Sequence, residues 1–170
     1  MNEYGTIIGG ADGPTAVFLA GELLGIRWLN ILGLIIIVLI MIPNIIYAVK
    51  YKDQQNKCDN QFMNILEQIG RYGCIVLMIL NIGINEPGFK SIEMFLTYLI
   101  GNAVLIVSYL IIWVMYFKKP KFGKQISLAV IPTVIFLLCG ITMMHWLLII
   151  FGIIFGIGHI YVTSKNRCEE

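Results

Sequence analysis

Two residues of opposite charge, Glu67 and Arg71, stand inside a hydrophobic segment, where a charged side chain is costly unless it has a partner. They are four positions apart with the acid first, which is the favoured order for an ion pair on one face of a helix. Further polar residues recur on the same face at helical intervals: Asn64, Gln68, Asn81 and Asn85. The spacing predicts a polar stripe along one transmembrane helix.

Two interpretations of this stripe are open. In the favoured one, Glu67 and Arg71 form a neutralised structural pair that fixes the register of the helix near the cytoplasmic edge of the membrane. In the other, they line a conduction or substrate pathway together with Asn102 of the next hydrophobic segment.

A glycine-rich segment at residues 5–25 is the second chemical feature. Its glycines permit backbone conformations closed to other residues: Gly9, Gly10 and Gly13. Pro14 suits the first turn of a helix that is too short to cross a membrane. A non-helical break followed by a half-helix forms ion sites in transporters. The carboxylate of Asp12 and the loop carbonyl groups would then be ligands for a hard cation.

The residues Ile7–Phe18, which read IIGGADGPTAVF, resemble a signature of the β subunit of sodium-translocating decarboxylases. In that family, which includes the oxaloacetate, methylmalonyl-CoA and glutaconyl-CoA pumps, the aspartate belongs to a sodium and proton site. The resemblance implies Asp12 as an ion ligand in a loop shaped by its neighbours: Gly9, Gly10, Gly13, Pro14 and Thr15. It covers about fifteen of the 170 residues, and the family's second motif is not found, so a complete decarboxylase pump is not expected.

Other interpretations of residues 5–25 stay open. The segment could be a surface turn that caps a short interfacial helix, with Asp12 as a turn residue, or it could dock on a partner protein. Whether it enters the membrane or lies at its surface is not decided by the sequence.

The histidines and cysteines indicate no catalytic or metal site. Neither His145 nor His159 has an acidic residue nearby in sequence, and the four cysteines form no CxxC pair: Cys58, Cys74, Cys139 and Cys168. We therefore expect no enzyme, no bound metal and no cofactor other than a sodium ion. A cavity that placed Glu67 beside His159 or Asn102 would reopen the enzyme interpretation.

The composition requires a membrane environment for these residues. Hydrophobic residues make up 58% of the chain and charged residues 13%, about half the charged share of soluble domains, and the mean hydropathy is +0.83. The net charge of +2 is small, so nucleic acid is not expected as a partner.

Hydrophobic segments long enough to cross the membrane predict an all-α bundle of about five transmembrane helices. The expected organisation is a glycine-rich segment with a half-helix at 1–27, a bundle at 28–164 and a tail at 165–170. Within the bundle, the predicted spans are about 28–49, 63–84, 94–117, 125–142 and 146–163. The last two spans follow because 126–163 contains no charged residue and, as one helix, would measure about 57 Å. That length is far greater than the thickness of the hydrocarbon core of a membrane. We expect this stretch to turn at Thr142–Trp146.

Basic residues predict the orientation. Nine of the twelve follow the first, third and fifth spans, and these regions share one side in an alternating topology: Lys50, Lys52, Lys57, Lys118, Lys119, Lys121, Lys124, Lys165 and Arg167. Basic loops stay in the cytoplasm. The C-terminus is therefore expected there, with the N-terminus outside the cell membrane.

These features predict a small polytopic membrane protein, either a sodium-linked transport protein or a subunit of a transport complex, with an ion site at Asp12. The alternative is an accessory protein whose N-terminal segment docks on a partner. Expected partners are the lipid bilayer and either another copy of the chain or a second membrane protein. Gly152 and Gly156 form a GxxxG spacing that indicates helix packing within the chain.

Overall fold

The computed structural model describes residues 29–51, 58–80, 82, 89 and 91–167, which form five α-helices. They are α1 (Ile31–Lys50), α2 (Gln61–Ile79), α3 (Ile92–Lys118), α4 (Phe122–Thr142) and α5 (Trp146–Lys165). Each is long and apolar enough to cross a membrane. The predicted fold class, an all-α membrane protein with five transmembrane helices, is confirmed. The glycine-rich segment with its predicted half-helix, Asn81 and Asn85 lie outside the described residues.

Polar side chains define where several helices begin. The residue before the helix accepts a hydrogen bond from a backbone N–H of the first turn in α1, α2 and α3, where the caps are Asn30, Asn60 and Ser91. Such caps satisfy an amide that has no partner within the helix. Short polar sequences between the apolar segments thus fix the helix starts.

The second helix ends at Ile79, before the end of the predicted segment 63–84. The Ile79 carbonyl oxygen accepts a hydrogen bond from the Asn30 N–H at 2.7 Å. Leu80 and Leu29 pair in an isolated antiparallel bridge. The backbone leaves the helix here because its polar groups pair with the residues that precede α1.

The five helices pack in a closed ring. The most extensive contacts join α5 to α2 and to α4, and α4 also packs on α3. The first helix closes the ring through smaller contacts with α2 and α3. The outward faces carry large exposed apolar side chains on every helix, for example Val49, Ile65, Ile100, Ile141 and Ile157. These faces suit lipid, and the ring surrounds an interior that is shielded from it.

The basic regions meet at one end of the ring, which we call the basic end. The Lys50 ammonium group, at the end of α1, lies 5.5 Å from the centre of the Phe117 ring near the end of α3. The Arg167 guanidinium group, after α5, lies 4.6 Å from the ring of Phe122 at the start of α4. The ends of α1, α3 and α5 are therefore on the same side of the bundle.

Candidate functional site

The polar stripe of α2 meets a histidine of α5. Glu67 Oε1 accepts a hydrogen bond from the Arg71 guanidinium group, and His159 Nδ1 lies 2.9 Å from the same oxygen. Glu67 is only 5% exposed. We call Glu67, Arg71 and His159 the charged cluster. One buried carboxylate oxygen thus joins two helices that are far apart in sequence.

The depths of these residues explain why they meet. Glu67 is six residues after the start of α2, and His159 is six residues before the end of α5. At 1.5 Å per residue, each lies about 9 Å along its helix from the basic end. The helices run in opposite directions, so the two side chains come to the same level.

Two glycines allow α2 and α5 to approach closely enough for this contact. A Cβ atom on Gly70 would lie 2.5 Å from the backbone nitrogen of Phe155, and one on Gly158 would lie 2.7 Å from that of Glu67. Real Cβ atoms do not come so near to backbone atoms. The absence of a side chain at both positions therefore sets the separation of the two helices.

A cavity of about 330 Å³ lies inside the ring, and all five helices contribute to its wall. Arg71 and His159 belong to this wall, so the charged cluster borders the cavity. Most of the remaining wall is apolar or aromatic. Further polar groups of the wall come from α1, α3, α4 and α5, namely Asn44, Tyr47, Tyr109, Tyr116, Gln125 and Thr163.

Aromatic side chains of α1 and α3 form another part of the cavity wall. The Tyr47 ring centre is 5.4 Å from that of Trp113 and 5.9 Å from that of Tyr116. Asn44 Nδ2 donates a hydrogen bond to the Tyr109 hydroxyl oxygen at 2.8 Å. This packing and hydrogen bonding hold the aromatic wall against α1.

His159 has a defined orientation at the cavity. Its ring stacks on that of Phe155, with centres 4.7 Å apart and planes inclined by 17°. Because Nδ1 faces the Glu67 carboxylate, which can only accept, Nδ1 carries the hydrogen and donates it, and Nε2 is the ring nitrogen left with a lone pair. A carboxylate that orients a histidine in this way equips the ring to accept or release a proton at Nε2.

The structure does not bring Asn102 to the charged cluster. Asn102 is buried on α3, where its Nδ2 donates to the Tyr98 carbonyl oxygen at 2.7 Å and its Oδ1 accepts from Cys139 Sγ at 3.4 Å. It is not part of the cavity wall described above. The pathway that would include Glu67 and Asn102 therefore stays a prediction. Asp12, Gly9, Gly10, Gly13 and Thr15 lie outside the described part of the chain.

The two histidines have different environments. His145 caps α5, where its Nδ1 accepts from the Leu148 N–H at 3.4 Å, and its side chain is almost fully buried. Burial lowers the pKa of His145, although the backbone groups at His145 and Ile82 oppose this shift. His159, by contrast, contacts a carboxylate.

The contact between Glu67 and His159 was named from the sequence only as an arrangement that would reopen the enzyme interpretation, and it was not predicted. A usable signal was present, since Gly70 follows Glu67 by three positions and Gly158 directly precedes His159. Small residues in apolar segments mark close helix approach. The GxxxG prediction is confirmed, because a Cβ on Gly156 would meet the Thr133 side chain of α4 at 2.5 Å.

No cluster of three or more potential metal ligands of the His, Cys, Asp or Glu type occurs among the described residues. Comparison of the chain with protein-family models, with curated proteins and with solved structures finds no match. The function is therefore argued from the charged cluster and the cavity.

Proposed function

We propose that this polytopic membrane protein is a small transport protein and that the cavity is its substrate site. The observation that carries the proposal is the position of Arg71 and His159 in the wall of a cavity lined by residues of all five helices. Charged residues at membrane depth are expensive, and in membrane proteins they commonly mark substrate or ion pathways. The cavity also has the mainly apolar wall and few polar groups that are typical of a ligand site.

We place the basic end of the ring in the cytoplasm, with the N-terminus outside the cell membrane. Support comes from the contacts that bring Lys50 near Phe117 and Arg167 near Phe122, since they gather the basic regions on one side. Basic loops remain on the cytoplasmic side of a membrane. In this orientation the charged cluster lies in the cytoplasmic half of the membrane.

We further propose that transport is linked to sodium through Asp12. The support for this step is the resemblance of the motif around Asp12 to the signature of the decarboxylase β subunit. Residues 1–28 themselves lie outside the described part of the chain. Sodium chloride should raise the midpoint of thermal unfolding relative to choline chloride. Asp12→Asn should lose this difference, and Glu22→Gln, which removes another carboxylate of the segment, should keep it. Equal midpoints in both salts for the unaltered protein would remove sodium from the proposal.

Accessibility of the cavity from both sides of the membrane tests the transport function. Ile40 lines the cavity and is 4% exposed, whereas Ile42 is 48% exposed on the outer surface of the ring. Ile40→Cys and Ile42→Cys are compared in a background with Cys58 and Cys168 replaced by serine. Cys74 and Cys139 can remain because both are 0% exposed. The probe is a charged, membrane-impermeant methanethiosulfonate applied to vesicles of either orientation.

A transport site predicts that Ile40→Cys reacts from both sides and that Ile42→Cys, which faces lipid, reacts from neither. Reaction of Ile40→Cys from the cytoplasmic side alone would contradict transport. The enzyme interpretation would then take precedence, because Glu67 and His159 form an acid–base pair at 2.9 Å. It is second here because no serine or cysteine lies in the described cavity wall.

An accessory protein that docks on a partner gives a different result. A membrane protein would co-purify with the full chain and would be lost when residues 1–26 are deleted. The cavity would then show no access from outside, and Ile40→Cys would distinguish this outcome from transport.

A further inference from the structure

We infer that the cavity binds a small organic anion and that His159 takes up a proton when the anion binds. The inference names the substrate class of the proposed transport site, and so rests on the proposed function. It depends on the hydrogen-bonding capacity of Arg71, on the net charge of the cluster and on the chemistry of the cavity wall.

Arg71 has more hydrogen-bond donors than its protein partner uses. The guanidinium group carries five N–H donors in a planar fork, and its hydrogen bond goes to one oxygen of Glu67. The Arg71 side chain is 37% exposed, although it belongs to a cavity wall within the ring. The unused donors are thus available to the cavity, and a carboxylate is the ligand that matches their geometry.

The charge of the cluster explains why a proton should accompany the anion. Glu67 and Arg71 cancel, so the cluster is neutral when His159 is neutral. A bound anion adds one negative charge in a region where uncompensated charge is costly. Nε2 of His159 can take up one proton from water, since Nδ1 already donates to Glu67. Protonation then restores neutrality beside the ligand.

The other titratable groups around His159 do not take up the proton that neutralises the bound anion. The helices packed against α5 are mainly α2 and α4. From α2 the charged groups are those of the cluster. On α4, the Lys124 ammonium group donates to the carbonyl oxygens of Met115 and Lys119 at 2.9 Å, and Gln125 is uncharged. The phenol groups of Tyr47, Tyr109 and Tyr116 also belong to the cavity wall. His159 is thus the group of the described cavity wall whose ring has a second nitrogen that can accept a proton.

The wall of the cavity defines the body of the ligand. The residues around the polar groups are aliphatic or aromatic: Ile37, Ile40, Trp113, Pro132, Phe136 and Phe155. A volume of about 330 Å³ is at the small end of ligand cavities. These properties fit a compact monocarboxylate with an apolar or aromatic body. A cation would be opposed by the Arg71 charge.

The test measures the binding of matched probes to the full-length protein in lipid nanodiscs by titration calorimetry at pH 6 and pH 8. Benzoate, cyclohexanecarboxylate and hexanoate are the anions, benzamide is the neutral probe and benzylamine the cation. At least one anion should bind, and more tightly at pH 6, by up to about tenfold per pH unit when one proton is linked. Titration in buffers of different ionisation enthalpy should show uptake of about one proton per anion.

Variants separate the roles of the two side chains. His159→Gln keeps a donor for Glu67 but cannot gain a proton, so it should bind the anion with no pH dependence. Arg71→Gln should lose binding. If Arg71→Gln does not fold, the double variant Glu67→Gln/Arg71→Gln takes its place in the test. It leaves no unpaired charge between these two residues and should also lose anion binding. Tyr72→Phe is the matched control, because Tyr72 is 64% exposed beside Arg71, and should bind as the unaltered protein does.

Three results would overturn the inference: binding of none of the three carboxylates, preference for benzylamine, or carboxylate binding that is independent of pH in the unaltered protein. The proposed function fails separately. Carboxylate binding with proton uptake but one-sided labelling of Ile40→Cys would keep the anion site and reject transport. Two-sided labelling without carboxylate binding would keep transport and reject this substrate class.

Discussion

Substitution of Gly158 tests the close approach of α2 and α5. In Gly158→Ala, the new Cβ would lie 2.7 Å from Glu67 N and 2.8 Å from Glu67 Cα. Ordinary contacts between such atoms are about 3.5–4.0 Å, so the helices must separate by about 0.8 Å at this level. The Glu67–His159 distance, now 2.9 Å, would grow to about 3.7 Å, beyond hydrogen-bond range. Overpacking of this kind costs about 1–3 kcal/mol.

Two measurements check this result. Denaturant unfolding in detergent micelles reports the loss of stability. Selective ¹⁵N labelling of histidine reports the hydrogen bond, and the spectrum is simple because the chain has two histidines; His145→Asn assigns the His159 signals. Gly123→Ala is the matched control, since nothing lies within 4 Å of a Cβ at that position. Its stability should be unchanged or slightly higher, because alanine favours a helix more than glycine does.

The reasoning would be refuted if Gly158→Ala were as stable as Gly123→Ala and left the His159 signals in place. That outcome would mean that α2 and α5 are not held together at Gly158. Loss of stability without a change at His159 would show a more limited error, namely that the Glu67–His159 hydrogen bond does not depend on the helix separation.

Two further predictions concern single groups. Glu67→Gln should destabilise the protein by about 1–3 kcal/mol in denaturant unfolding, because it leaves the Arg71 charge without its carboxylate. The double variant Glu67→Gln/Arg71→Gln should recover part of this loss of stability. No recovery would argue against the pairing of Glu67 with Arg71. Burial lowers the pKa of His145 in the folded protein. In the unfolded chain the pKa of this histidine is about 6.5, so below that pH the unfolded chain binds more protons than the folded protein does. The stability that is present above pH 6.5 therefore declines as the pH falls through the folded pKa. Between pH 7.5 and 5.5 the unaltered protein should lose more stability than His145→Asn, in which asparagine still caps α5; equal losses would contradict the assignment.

The helical architecture could be predicted because it depends on local properties of the sequence. Lengths of apolar segments define the five helices. The short sequence between α4 and α5 places His145 at the start of α5, where Met144 has a positive φ of 50°. This reversal divides the long uncharged stretch from Ile126 to Thr163 between two helices. The Glu67–Arg71 pair was also predictable, since it depends on spacing along one helix.

The rest of the site could not be predicted in the same way, because it depends on which helices are neighbours. His159 is 92 positions from Glu67, and periodicity within a helix contains no information about the order of helices in a ring. The interpretation that placed Glu67 and Asn102 on one pathway stays a prediction, and in the structure these two buried polar residues have different partners. Glycine positions contain part of the missing information.

The glycines of α5 indicate which part of the ring is fixed and which can move. Gly156 packs on Thr133 of α4, and two positions later Gly158 packs on Glu67 of α2. Two positions correspond to about 200° around a helix, so α5 is held between neighbours on opposite sides. His159 therefore belongs to a helix that is closely packed on two sides. The first helix has smaller contacts with its neighbours. Pro43 removes one of its backbone hydrogen bonds, as Pro132 does in α4, so the smaller contacts are what distinguish α1. Any opening of the cavity should therefore occur by movement of α1, while the charged cluster stays in place.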